Sequence, residues 1–158
     1  MRQPRQAVRV AVIEPSGAIF LFRYDNEEVG VHWAMPGGGV EPDETLIEAA
    51  RRELLEETGW DDIELYSELW VWEHDFTRNG QPVRQHERIL LGRGPRRDPI
   101  GDLRAAHAED RILRWRWWSP IELESCEEAL WPPRLPELLE RLGEVGSPVS
   151  PIDLGYTG

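Results

Sequence analysis

Apolar and polar residues alternate from Gln6 to Ile13, where Val8, Val10 and Val12 stand against Arg9 and Ala11. That period of two predicts a strand. Pro15-Ser16-Gly17 marks a turn, and Ile19 to Phe22 reads as a second strand, so residues 6–23 suggest a hairpin. The acidic stretch Tyr24 to Val31 reads as a loop, followed by a short strand from Trp33 to Val40 broken by Gly37-Gly38-Gly39. The periodicity then changes. Glu44 to Thr58 predicts a helix, with Asp43 as its N-cap and Gly59 as its stop.

Leu65 to Phe76 and Val83 to Leu91 predict a long hairpin, its turn marked by Asn79-Gly80. Gly92 to His107 is rich in Gly, Pro and Arg and reads as a loop. Leu113 to Trp118 predicts another strand, Ser119-Pro120 the start of a short helix, and Pro136 to Leu142 a last amphipathic one. Residues 1–142 form one expected domain, and 143–158 read as an extended C-terminal tail. No internal repeat interrupts this order.

Composition narrows the function classes. The 158 residues include 40% hydrophobic side chains and eight tryptophans, which suits a folded chain with one core. No apolar run approaches the length of a membrane span, and no apolar stretch follows the basic N-terminus as a secretory signal requires. A cytoplasmic location is the resulting expectation. The formal charge of −12 argues against nucleic-acid polymers and anionic membranes as partners, but not against a small anion carried with metal ions. All 18 cationic side chains are arginine, so no lysine can clamp phosphate or act as a base. Cys126 is the sole cysteine; it excludes a multi-thiolate zinc site, and its acidic neighbours Glu127 and Glu128 disfavour a thiolate nucleophile.

The chemistry concentrates in the helix. At about 100° per residue with Leu46 at zero, Ala50, Leu54 and Ile47 fall at about 40°, 80° and 100°, forming the core-facing stripe. Glu57 falls at about 20°, inside that stripe, with Glu53 and Glu56 beside it at about 340° and 280°. Carboxylates at this spacing repel one another, and Glu56 and Glu57 also meet the unfavourable end of the helix dipole. An isolated glutamate pair is ordinarily a solvated face. Three crowded against the core call for compensation, and oxygen ligands so placed suit Mg²⁺, with Mn²⁺ as the alternative.

The order Gly38-x5-Glu44-x7-Arg52-Glu53-Leu54-x-Glu56-Glu57-x-Gly59-Trp60 resembles the Nudix hydrolase signature, departing only at Trp60, where an aliphatic residue is usual. The resemblance implies an α/β fold, a Nudix-like α/β/α sandwich with a central mixed sheet. It implies a Mg²⁺-dependent hydrolase that cleaves a phosphoanhydride bond in a nucleoside diphosphate linked to another group. Carried over by position, Glu56 and Glu57 become principal metal ligands, and Glu53 a further ligand or the base for the attacking water. Arg52 holds a catalytic glutamate, Glu44 supports the loop, and the Gly37 or Gly38 carbonyl completes the coordination. Many such proteins use one more glutamate outside the signature; Glu109, in a loop before Arg116-Trp117-Trp118, and Glu87, on the hairpin, are the two candidates.

Substrate contacts are expected from Arg23 and Trp33, with Gly38 at the phosphates, although strand-end solvation and core packing are the commoner fates of such an Arg and Trp. His74 and His86 lack metal-site spacing. The subfamily markers for ADP-ribose and dinucleoside polyphosphates are absent around Asp75 to Arg78, which leaves a nucleoside triphosphate or a modified nucleotide by elimination. The rival reading is a non-catalytic nucleotide-sensing or regulatory module on the same fold; such modules usually lose signature glutamates, and all four are kept here. Tryptophan-rich strands and the proline-rich tail raise the expectation of a homodimer.

Overall fold

The computed structural model describes residues 1–157. A nine-stranded mixed sheet forms the middle layer, built from β1 (Gln3–Ile13), β2 (Ile19–Asn26), β3 (Gly30–Ala34), β4 (Gly37–Gly39), β5 (Glu64–Arg78), β6 (Gln81–Arg93), β7 (Ile112–Trp118), β8 (Ala129–Trp131) and β9 (Ile152–Thr157). The path runs β8-β3-β2-β1-β6-β5-β9, with β4 added to β1 and β7 to β2. Helix α1 (Leu46–Thr58) covers one face, where Ala49, Ala50 and Leu54 meet Val8, Val10, Phe20 and Phe22. Helices α3 (Pro120–Glu124) and α4 (Leu135–Val145) cover the other, where Leu123, Leu135 and Leu138 meet Ala11, Ile19, Leu21 and Trp33. The alternation along β1 feeds both layers, as a strand buried on two faces must. This is the α/β/α sandwich expected from the signature.

Strand pairing opens the cleft. β1 runs parallel to β6 from Gln3–Val83 to Ile13–Arg93, but touches β2 only at Ile13–Ile19. Beyond that point β1 and β2 part, and β4 pairs with β1 from Ala7–Gly39 to Arg9–Gly37. The two strands expected to form a plain hairpin therefore hold the glycine loop between them.

Several boundaries move for identifiable reasons. The N-cap of α1 is Thr45 rather than Asp43, because Thr45 and Glu48 close a reciprocal capping box. The helix accordingly begins at Leu46, and Gly59 ends it in the left-handed conformation at φ 76°. Asp25 and Asn26 belong to β2, and β3 follows through a turn at Glu27, Glu28 and Val29, where a loop had been expected. Asn79 and Gly80 both have positive φ, as a tight two-residue hairpin turn requires. Helix α2 (Arg104–Glu109) occupies part of the expected Gly/Pro/Arg loop. The tail docks: β9 lies parallel to β5 from Trp70–Ile152 to His74–Thr157, and the Trp72 indole donates to the Thr157 hydroxyl at 3.1 Å.

Candidate active site

The glutamate face of α1 divides. Glu57 is 1% exposed and Glu53 7%, whereas the Glu56 side chain is 53% exposed. The buried arc is centred on Ala49, Ala50 and Leu54 rather than turned toward Ile47, which is 39% exposed; that rotation takes Glu56 outward. Carboxylate oxygens of Glu53, Glu57 and Asp110 lie within 4.8 Å of one another. Asp110 caps the C-terminal end of α2, one residue beyond the expected Glu109.

Local contacts hold the cluster. The Gly37 N–H donates to Glu57 Oε1 at 2.9 Å, while Glu57 Oε2 is buried with no hydrogen-bond donor among the described residues. Burial, and then the charges of Glu53 and Asp110, push the Glu57 carboxyl well above its ordinary range. Burial also raises Glu53, against the opposing pull of Arg52. Arg52 grips both oxygens of Glu44 at 2.6 and 2.8 Å, the Gly39 carbonyl at 2.9 Å and Glu53 Oε1 at 2.9 Å. It thereby ties the glycine loop to the helix and aims Glu53. The fork to Arg52 holds Glu44 down at about 2. His107 closes the far end, its Nε2 2.8 Å from the Glu57 carbonyl.

A cleft of about 380 Å³ opens beside Gly37, Gly38 and Asp110. Arg5, Arg78 and Arg111 bring positive charge to it, and Phe76, Tyr24 and Trp131 bring ring surface. Arg5 and Arg78 have no carboxylate within ion-pair distance among the described residues. Burial, with Arg78 and Arg9 nearby, lowers Arg5 to about 10. The Trp131 and His32 rings stack with centroids 3.6 Å apart, and His32 in turn stacks on Tyr24.

The remaining candidates are placed elsewhere. Glu109 lines the cleft without joining the carboxylate cluster. Glu87 is buried in a separate network with Arg9, His74 and Gln85. Arg23 is held by both oxygens of Glu128 at 3.0 and 2.7 Å, and Trp33 is buried in the core with its indole N–H on Glu128. Neither Arg23 nor Trp33 lines the cleft; alternation along β2 and β3 turns them toward the α4 layer. Six of the eight tryptophans are buried, so the rings invoked for dimer formation fill the monomer core instead.

The fit for a cation is physical. Three carboxylates within 4.8 Å, one with a buried and unpartnered oxygen, form a hard-oxygen donor set whose mutual repulsion a divalent ion relieves. The profile of the NUDIX domain matches residues 3–142. An RNA pyrophosphohydrolase of Novosphingobium aromaticivorans is 33% identical over 138 residues, covering 75% of this chain and 80% of that protein. One of Erythrobacter litoralis is likewise 33% identical, with 78% of its length covered. Among solved structures, a MutT protein from Methanosarcina mazei superposes with TM-score 0.64 at 20% identity, over 90% of this chain and 95% of that one. The E. coli dihydroneopterin triphosphate pyrophosphohydrolase also gives 0.64, at 18% identity over 89% and 97%. At these identities the solved structures establish the fold.

Proposed function

The chain belongs to the Nudix family, whose members hydrolyse nucleoside diphosphates linked to a further group with a divalent metal, and on that premise we propose that this one takes a nucleoside 5′-triphosphate end. Glu53, Glu57 and Asp110 hold the ion, Mg²⁺ with Mn²⁺ as the substitute. Glu56 and the Gly37 carbonyl are supplementary ligands. The observation that carries this reading is Glu57 Oε2, buried and unpartnered within the carboxylate cluster. When bound, the ion neutralises phosphoryl oxygens and lowers the pKa of an attacking water.

The chain's own groups then have distinct tasks. Gly37 fixes Glu57 and Arg52 orients Glu53, each as a ligand. Glu109, at the cleft wall, is the proposed base for the water. Arg5, Arg78 and Arg111 receive phosphate oxygens, with Gly38 alongside, and Phe76 and Trp131 offer ring faces to the base. A free nucleoside triphosphate, ordinary or modified, is the first substrate reading, because a cleft of about 380 Å³ suits one nucleotide. The second, favoured by the two 33%-identical relatives, is a triphosphate carried at the end of an RNA. We place the enzyme in the cytoplasm; no helix among the described residues is long and apolar enough to cross a membrane.

The test is a Mg²⁺-dependent panel of nucleoside triphosphates, oxidised nucleotides, ADP-ribose, dinucleoside polyphosphates and a 5′-triphosphorylated oligoribonucleotide. Turnover of a triphosphate above ADP-ribose and the dinucleotides is expected. Preference for either of the latter overturns the substrate reading.

A further inference from the structure

Behind the carboxylate cluster lies a buried ion pair that the proposed chemistry leaves without a task. Glu87, on β6, is 3% exposed, and its Oε2 accepts from three donors: Arg9 Nε at 3.1 Å, His74 Nε2 at 2.8 Å and Gln85 Nε2 at 2.7 Å. With that oxygen so engaged, and with no place in the 4.8 Å cluster, Glu87 is not positioned as a ligand.

Its partner reaches the site. Arg9 Nη1 donates to the Met35 carbonyl at 2.9 Å and to the Tyr24 hydroxyl at 3.2 Å. Two residues after Met35, Gly37 donates its N–H to Glu57. Val10 N–H holds the intervening Pro36 carbonyl at 2.9 Å, and Arg9 is the register partner of Gly37. The contact is close: a Cβ on Gly37 would stand 2.8 Å from Arg9 Cα. Arg9 is therefore a buried cation whose field reaches Glu57 as well as Glu87. Left unbalanced, that charge opposes any cation bound at Glu57, because low-dielectric surroundings screen it weakly.

We propose that Glu87 is a positioning residue for the divalent ion: it acts through Arg9, pinning the guanidinium against the Met35 carbonyl and offsetting the charge that would otherwise repel the metal at Glu57. The inference rests on Glu53, Glu57 and Asp110 being the metal ligands.

A double-mutant cycle on the full chain tests it, with Mn²⁺ binding followed by the paramagnetic signal of the free ion and no substrate present. Glu87→Gln should weaken Mn²⁺ roughly tenfold or more, the usual scale for a group that supports ligands from behind. In the Arg9→Met background the same change should cost less than about twofold, since burial drives Glu87, deprived of its cation, to the neutral form and no charge is left to remove. Equal losses in both backgrounds would mark Glu87 as a direct ligand, and no loss in either would reduce the pair to packing; each result overturns the proposal. Should Arg9→Met not fold, Glu87→Asp decides. Charge compensation survives the shorter side chain and keeps binding within about threefold, whereas a ligand withdrawn by one methylene loses as much as Glu87→Gln. Failure of the unmodified protein to bind Mn²⁺ refutes the ligand assignment itself and this inference with it.

Discussion

Gly38 stands so close to Glu53 that a Cβ built on it would lie 2.6 Å from Glu53 Oε1. Its φ is outside the left-handed region, so alanine brings no backbone strain, and the conflict falls on the carboxylate alone. Gly38→Ala should displace Glu53 and lower kcat by about 10- to 100-fold, in keeping with the sensitivity of catalysis to small misplacements. A melting temperature close to that of the unmodified protein should accompany it. Unchanged turnover would mean that Glu53 is free to move without consequence.

The signature motif made the helix, its stop at Gly59 and the carboxylate spacing legible, because these depend on local periodicity and capping. The division of Glu53 and Glu57 from Glu56 was not. It depends on how far α1 rotates against the sheet, and Ala49 and Ala50 set that rotation by packing closely on β1 and β2. Asp110 was not singled out, because α2 ends where a loop had been read, and helix termini are fixed by tertiary contacts such as His107 on the Glu57 carbonyl. Arg9 and Glu87 become partners only through the parallel pairing of β1 with β6, a contact between residues 78 apart that no local pattern announces.

Asp110 and Glu109 are neighbours with different surroundings. Asp110 is within the carboxylate cluster and Glu109 only borders the cleft. Asp110→Asn should therefore raise the Mg²⁺ concentration for half-maximal activity by about tenfold or more, as loss of a ligand charge does. Glu109→Gln should leave that concentration within about twofold and act on kcat. Measuring activity against Mg²⁺ for both variants checks this; the opposite pattern assigns the ligand to Glu109.

Arg52 makes a fork that lysine cannot copy, gripping Glu44 twice while holding Gly39 and Glu53. Arg52→Lys should reduce kcat by about 10- to 100-fold with a smaller change in nucleotide KM, since it loosens the aim of Glu53 more than any substrate contact. Steady-state kinetics at saturating Mg²⁺ provide the measurement, and a change confined to KM contradicts the orienting role.

The raised Glu57 and Glu53 carboxyls link stability to pH and metal. Without metal, the folded protein retains these protons where the unfolded chain has lost them, so their effect favours folding at low pH and is lost as pH rises through and above the ordinary carboxylate value of 4.5. A divalent ion binds the ionised forms and reverses that loss. Saturating Mg²⁺ should therefore raise the melting temperature little near pH 5 and increasingly toward pH 8. Thermal melts with Mg²⁺ and with chelator across this range test the linkage. A gain that stays constant or shrinks as pH rises counts against it.

The buried oxygen of Glu57 is the proposed seat of the divalent ion that drives phosphoanhydride hydrolysis. Glu57→Gln keeps the side-chain length and an oxygen for the Gly37 N–H while removing the charge. The most direct measurement is phosphate or pyrophosphate release from a nucleoside triphosphate, with Mg²⁺ and with excess chelator, for the unmodified protein and for Glu57→Gln. Turnover that chelator abolishes is expected, with a loss of about 100-fold or more in the variant at limiting Mg²⁺, on the scale of removing a ligand from a catalytic metal. Turnover that survives chelation, or a Glu57→Gln variant as active as the unmodified chain at limiting Mg²⁺, would contradict that assignment.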